Sequence, residues 1–137
     1  MNAIAPPIIL SSHDVRRLER LLETAGPQFR EIVEALEDEL VRAEVRAPED
    51  MPPDTVTMNS RVLCVDETSG AEHVLQLVYP RDADPAHGKV SVLAPVGAAL
   101  LGLSAGQAID WPLPGGRSTR LRVLRVIDQP EAHGRLD

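Results

Sequence analysis

Aromatic residues and cysteine are almost absent from this sequence: one Phe, one Tyr, one Trp and one Cys in 137 residues. A single cysteine, Cys64, excludes an internal disulfide framework. It sits in the apolar run "VLCV", where a small buried residue is expected rather than a reactive thiol. Phe29, Tyr79 and Trp111 are too few to line an aromatic pocket. His13, His73, His87 and His133 are scattered, without the short spacing of a metal site, and no nucleophile elbow is present. No metal, cofactor or catalytic residue is expected. Basic residues are also scarce: 14 Lys+Arg stand against 21 Asp+Glu, a net charge of −7. That balance lacks the basic footprint that phosphate neutralisation demands, so no direct nucleic-acid binding is expected. No run approaches the ~18 apolar residues of a membrane span. The opening "MNAIAPPIIL" lacks the charged and hydrophobic regions of a secretory signal. A cytoplasmic protein with no membrane contact is the expectation.

What charge there is divides unevenly. Residues 1–59 hold 12 acidic residues and 6 Arg, whereas residues 60–137 hold 9 acidic and 8 basic ones. The acidic half has helical period. In "SSHDVRRLERLLE", Ser11 is placed to cap a helix with Asp14 three residues on, and Val15, Leu18, Leu21 and Leu22 follow at helical spacing. The segment Thr24-Ala25-Gly26-Pro27-Gln28 breaks that helix. Phe29, Ile32, Val33, Leu36, Leu40 and Ala43 then form one apolar stripe opposite Glu31, Glu34, Asp38 and Arg42. Prolines 48, 52 and 53 forbid continuation. The expected unit is a short antiparallel helical hairpin, a stubby coiled coil over residues 1–47, with helices of roughly 18 and 28 Å. Its stripes must be buried on each other or on a partner chain.

After a linker over residues 48–58 the period shortens to that of strands. "SRVLCVD" and "EHVLQLVY", joined by "ETSG", read as a hairpin. "KVSVLA" is a third strand, residues 95–101 a short helix, and "QAIDWPL", "PGG" and "STRLRVLRVID" a final strand pair. Pro112 and Pro114 confine the "QAIDWPL" strand to a sheet edge or a strand end. The fold class is α+β, with an antiparallel sheet crossed by one short helix over residues 59–137.

Residues 97–104, "GAALLGLS", come within one residue of the phosphate-binding pattern G-x-x-x-x-G-K-[ST]. Leu103 stands where the lysine must neutralise phosphate charge, which it cannot do. Ala98 to Leu101 are helix formers, so Pro95 reads as a helix start and Gly102 as its stop.

The stretch "SVLAPVGAALLGLSAGQAIDWPLPGG" resembles the C-terminal domain of the bacterial Gre transcript-cleavage factors, through Ser91, Pro95, Gly97, Ala99, Leu100, Leu101, Gly102, Gly106, Pro114, Gly115 and Gly116. "MPPDTVTMNSRV", "LVYP", "APVGAALLGL", "WPLPGG" and "QPEA" are similar to the Rnk family, regulators of nucleoside diphosphate kinase, over about residues 50–132. The resemblance implies an FKBP-like C-terminal domain, a short N-terminal coiled coil and binding to RNA polymerase near its secondary channel. The glycines then bracket a turn, and no nucleotide is required.

Gre factors carry acidic residues at the tip of a long coiled coil, where they help hold a catalytic Mg²⁺. The tip here, Thr24 to Gln28, has no carboxylate oxygen to offer magnesium. A non-enzymatic regulator that competes with Gre factors without stimulating transcript cleavage is implied. The polymerase-binding residues expected are Pro95, Val96, Leu100 and Leu101 beside Ser91, apolar anchors with a polar rim. Leu100 and Leu101 are adjacent on a helix, so one is expected to face the core and the other solvent. The alternative implied by the fold is an FKBP-like prolyl isomerase or peptide-binding module, which fold likeness alone does not establish.

Overall fold

The computed structural model of the protein describes residues 8–112 and 114–135; Met1 to Pro7, Leu113 of the "WPLPGG" motif, Leu136 and Asp137 lie outside the described residues. The chain enters through a strand, β1 (Ile9–Ser11), and turns directly into helix α1 (Ser12–Thr24). Ser11 Oγ accepts the Asp14 N–H at 3.0 Å and so satisfies one of the orphan donors of the first turn. A 3₁₀ turn at Pro27–Phe29 leads into α2 (Arg30–Arg42).

Two expectations need correction here. Each helix has 13 residues, so α2 spans about 20 Å rather than 28. Residues 44–46, expected to prolong it, form strand β2 (Glu44–Arg46), parallel to β1. The competing interaction is the backbone ladder: Glu44 N–H donates to Ile8 O at 3.0 Å and draws the chain out of the helix. This two-stranded pairing left no trace in the period of the sequence, because each strand is only three residues long.

The second half builds a five-stranded sheet in the order β5-β4-β3-β7-β6, from β3 (Arg61–Asp66), β4 (Glu72–Val78), β5 (Lys89–Ser91), β6 (Ala108–Pro112) and β7 (Ser118–Asp128), with α3 (Pro95–Leu100) between β5 and β6. The proline constraint holds: β6 is an edge strand and Pro112 its last residue. The sheet is not wholly antiparallel, because β5 pairs with β4 in parallel. Residues 79–88 form two 3₁₀ turns that carry the chain across instead of folding it back as a hairpin.

One hydrophobic cluster joins the helices to the five-stranded sheet. It holds Val62, Cys64, Leu75, Leu77, Leu121 and Val123 from the sheet, Leu100 and Leu103 from the α3 region, and Leu18, Leu22 and Leu36 from the helices. The helical stripe read from the sequence packs against it through Phe29, Ile32, Val33, Leu40 and Ala43. The helices therefore pack their apolar faces on the sheet half as well as on each other, Leu36 fully and the rest of the α2 stripe in part.

Residues 48–58 run between the halves, and Thr55, Val56, Thr57 and Met58 are at most 1% exposed. Polar clamps hold this segment. Gln129 Nε2 donates to Pro52 O at 2.7 Å and Thr55 O at 2.8 Å, and Thr57 Oγ1 donates to Glu131 Oε1 at 2.7 Å. The motifs "MPPDTVTMNS" and "QPEA", far apart in sequence, are two sides of one contact.

Candidate docking surface

Helix α3 begins at Pro95, whose fixed φ suits the first helical position. Gly97 lets the helix press onto the end of β5: a Cβ there would lie 1.9 Å from Ser91 O. At the other end Gly102 adopts φ +81°, a conformation that favours glycine. Its carbonyl accepts the Ile9 N–H at 3.3 Å and its N–H donates to Val56 O at 2.9 Å, while Val56 N–H donates to Leu103 O at 2.7 Å. Leu103 itself is 2% exposed. The two glycines thus serve a close backbone approach and a turn, and the position of the missing lysine lies in the core.

That packing decides which of the expected binding residues are available. Leu100 and Leu101 are 0% and 2% exposed, so the expectation that one of them faces solvent is corrected. The physical reason is that α3 ends at Leu100, and Leu101 lies in the turn, which leaves the helical spacing and tucks its side chain inward. Pro95 is exposed, Val96 and Ser91 are half-buried, and Ser91 Oγ accepts the Leu93 N–H at 3.0 Å.

The turn between α1 and α2 has its own geometry. Thr24 Oγ1 donates to Leu21 O at 3.2 Å, and Phe29 N–H donates to Gly26 O at 3.0 Å, closing the turn over Pro27 and Gln28. No carboxylate lies within Thr24 to Gln28; Glu23 and Glu31 are exposed on the flanking helices. A cleft of about 440 Å³ separates Pro27, Gln28, Phe29 and Glu31 from Leu93 and Pro95. Two groups of residues read separately from the sequence, the tip and the start of α3, therefore border one cleft.

Sequence reasoning missed a polar network beneath α1. Asp14, fully buried, accepts Met58 N–H at 3.0 Å through Oδ2 and pairs with Arg17 at 2.8 Å through Oδ1. The Arg17 guanidinium lies 5.1 Å from the Tyr79 ring centre. Burial pushes the Tyr79 phenol up, helped by the Asp14 charge. Burial also raises the Glu131 carboxyl above the usual range, against the lowering effect of its Thr57 hydrogen bond. The signal available was Asp14 at a helix start, which reads equally well as capping. Cys64 is fully buried, and desolvation pushes its thiol up to about 11, in keeping with a packing role.

Comparison with known proteins follows the same division. The family model of the C-terminal region of the transcription elongation factors GreA/GreB matches residues 51–128, and that of the Rnk N-terminus matches residues 6–45. A regulator of nucleoside diphosphate kinase from Escherichia coli (strain K12) is 47% identical over 129 residues, covering 94% of this chain and 95% of that protein. The chain belongs to the Rnk family. A solved structure described as a prokaryotic transcription elongation factor GreA/GreB from Nitrosomonas europaea is 52% identical, with a TM-score of 0.75, covering 88% of this chain and 98% of that one. The transcription elongation factor GreA of Chelativorans sp. (strain BNC1) is 36% identical over 94 residues, which span 69% of this chain and 59% of that factor. This Rnk-family chain is thus a GreA/GreB-like regulator with a Gre-type C-terminal region.

Proposed function

We propose that this chain binds RNA polymerase near the secondary channel and competes there with Gre factors without stimulating transcript cleavage. The observation that carries the reading is the pairing of a Gre-type region with a helical tip that lacks carboxylates and lies beside Pro95. A Gre-like docking surface would place the protein; a tip without carboxylates lacks the ligands that magnesium favours. In this reading residues 59–137 act as an FKBP-like docking domain and residues 1–47 as a short coiled-coil hairpin, with 48–58 joining them. The roles are separate although the packing is shared. Pro95 and Val96 supply the apolar contact beside Ser91, and the tip residues border it. The buried Leu100 and Leu101 support that surface from below. No chemical step is assigned, and regulation of nucleoside diphosphate kinase levels is what the family implies.

The test is competition. The full chain should displace a labelled Gre factor from core RNA polymerase, and Pro95→Ala, at an exposed position, should weaken displacement while leaving the melting temperature near the parent's. In stalled elongation complexes, cleavage should fall to its background rate as the chain is added. Failure to displace the Gre factor at saturating concentration would sink the reading.

A further inference from the structure

A second cleft, of about 510 Å³, lies between the C-terminal half of α1 and the turn that follows β4. Arg17, Arg20, Leu21 and Thr24 line it from the helix, and Tyr79, Pro80 and Arg81 from the turn. Arg17 and Arg20 are three residues apart and so share a helix face. In a chain of net charge −7, three guanidinium groups therefore border one open, largely apolar cleft, Arg20 and Arg81 from its exposed rim. Their charge is only partly matched. Arg17 pairs with buried Asp14, and Arg81 lies 3.8 Å from Asp82, an exposed contact of small value. Arg20 has no carboxylate partner among the described residues. Arg17 Nε and Tyr79 Oη are buried without a hydrogen-bond partner among them.

We propose that this cleft binds a phosphorylated small molecule, with phosphoryl oxygens held by Arg20 and Arg81 and an apolar or planar body resting on Leu21, Tyr79 and Pro80. The volume falls within the ~300–1,000 Å³ range of small-ligand sites, which combine apolar walls with a few convergent polar groups. The guanidinium fork matches phosphate oxygens two at a time. The lining comes from two short segments, whereas a protein interface takes roughly 20 residues a side. This cleft shares no lining residue with the one at Pro95, although Thr24 of the tip borders it.

The experiment is calorimetric titration of the full chain with adenosine diphosphate and with inorganic pyrophosphate, at constant ionic strength. Saturable binding is expected for both, tighter for adenosine diphosphate. Arg20→Gln and Arg81→Gln should each weaken it roughly tenfold or more, the loss of one charge-assisted contact. Melting temperatures of the two variants should match the parent, since neither group holds the fold. No saturable signal at millimolar ligand would overturn the proposal, and so would affinities unchanged in both variants. Equal or tighter binding of bare pyrophosphate would remove the role given to the apolar wall. Tighter binding of an oligoglutamate peptide would replace the small molecule with an acidic chain and overturn the assignment.

Discussion

Met58 donates its backbone N–H to Asp14 Oδ2 across 3.0 Å, joining positions 44 residues apart at a site closed to solvent. Asp14 is itself held by Ser11 Oγ through its N–H, and its second oxygen takes Arg17. Asp14 thus receives the helix cap through its backbone N–H, while its side chain anchors Met58 and holds the guanidinium that covers Tyr79.

Replacing Asp14 by Ala leaves the Met58 N–H and part of Arg17 buried without partners. Loss of about 2–4 kcal/mol of stability is expected, measured by urea unfolding. Asp14→Asn, which keeps an oxygen for Met58, should lose less. A change within ~0.5 kcal/mol for Asp14→Ala would show that the network is dispensable.

Glu131 has its folded pKa raised, mainly by burial, so its native state binds the proton more tightly than the unfolded chain. Ionisation then costs stability as pH rises from the ordinary value of 4.5 toward the higher folded one, and the cost stays constant above it. Glu131→Gln keeps an oxygen for Thr57 and removes that cost. The variant should melt higher than the parent at neutral pH, and the two curves should converge below about pH 4. A difference independent of pH would exclude this origin.

Gly97→Ala would set a methyl 1.9 Å from the Ser91 carbonyl, a backbone atom that cannot swing aside. A loss of about 1–3 kcal/mol is expected from the forced shift of α3. Leu103→Lys, which completes the phosphate-binding pattern on paper, would bury an ammonium and destabilise by several kcal/mol. Its affinity for adenosine triphosphate should not exceed the parent's. A gain in affinity from that single change would reopen the reading of "GAALLGLS" as a nucleotide loop.

The tip offers a separation of chemistry from reach. Gly26 has an ordinary φ of −70°, and a Cβ there meets only the flexible Gln28 side chain, so Ala25→Asp with Gly26→Glu should fold. The helices behind it extend only about 20 Å. If reach is limiting, the double variant still competes with a Gre factor yet leaves transcript cleavage at background. Robust cleavage would show that missing carboxylates alone separate this tip from a Gre tip.

Local pattern determined a great deal. The Ser11 cap, the stripe from Phe29 to Ala43, the strand over residues 118–128 and the edge position of Pro112 all follow from period, capping and proline chemistry, which act over a few residues. The motifs around Gly97 and Gly102 also sufficed to carry the family resemblance. What tertiary structure decided are contacts between segments that carry no local mark. The β1–β2 pairing, the parallel β4–β5 step, the burial of both Leu100 and Leu101, the Asp14–Met58 bond and the cleft that Arg20 and Arg81 both line belong to this class. A helical stripe states that a face must be buried and does not state against what. A charged residue at a helix start suits a cap, a core network or solvent equally, until the rest of the chain packs around it and the cost of desolvation selects one.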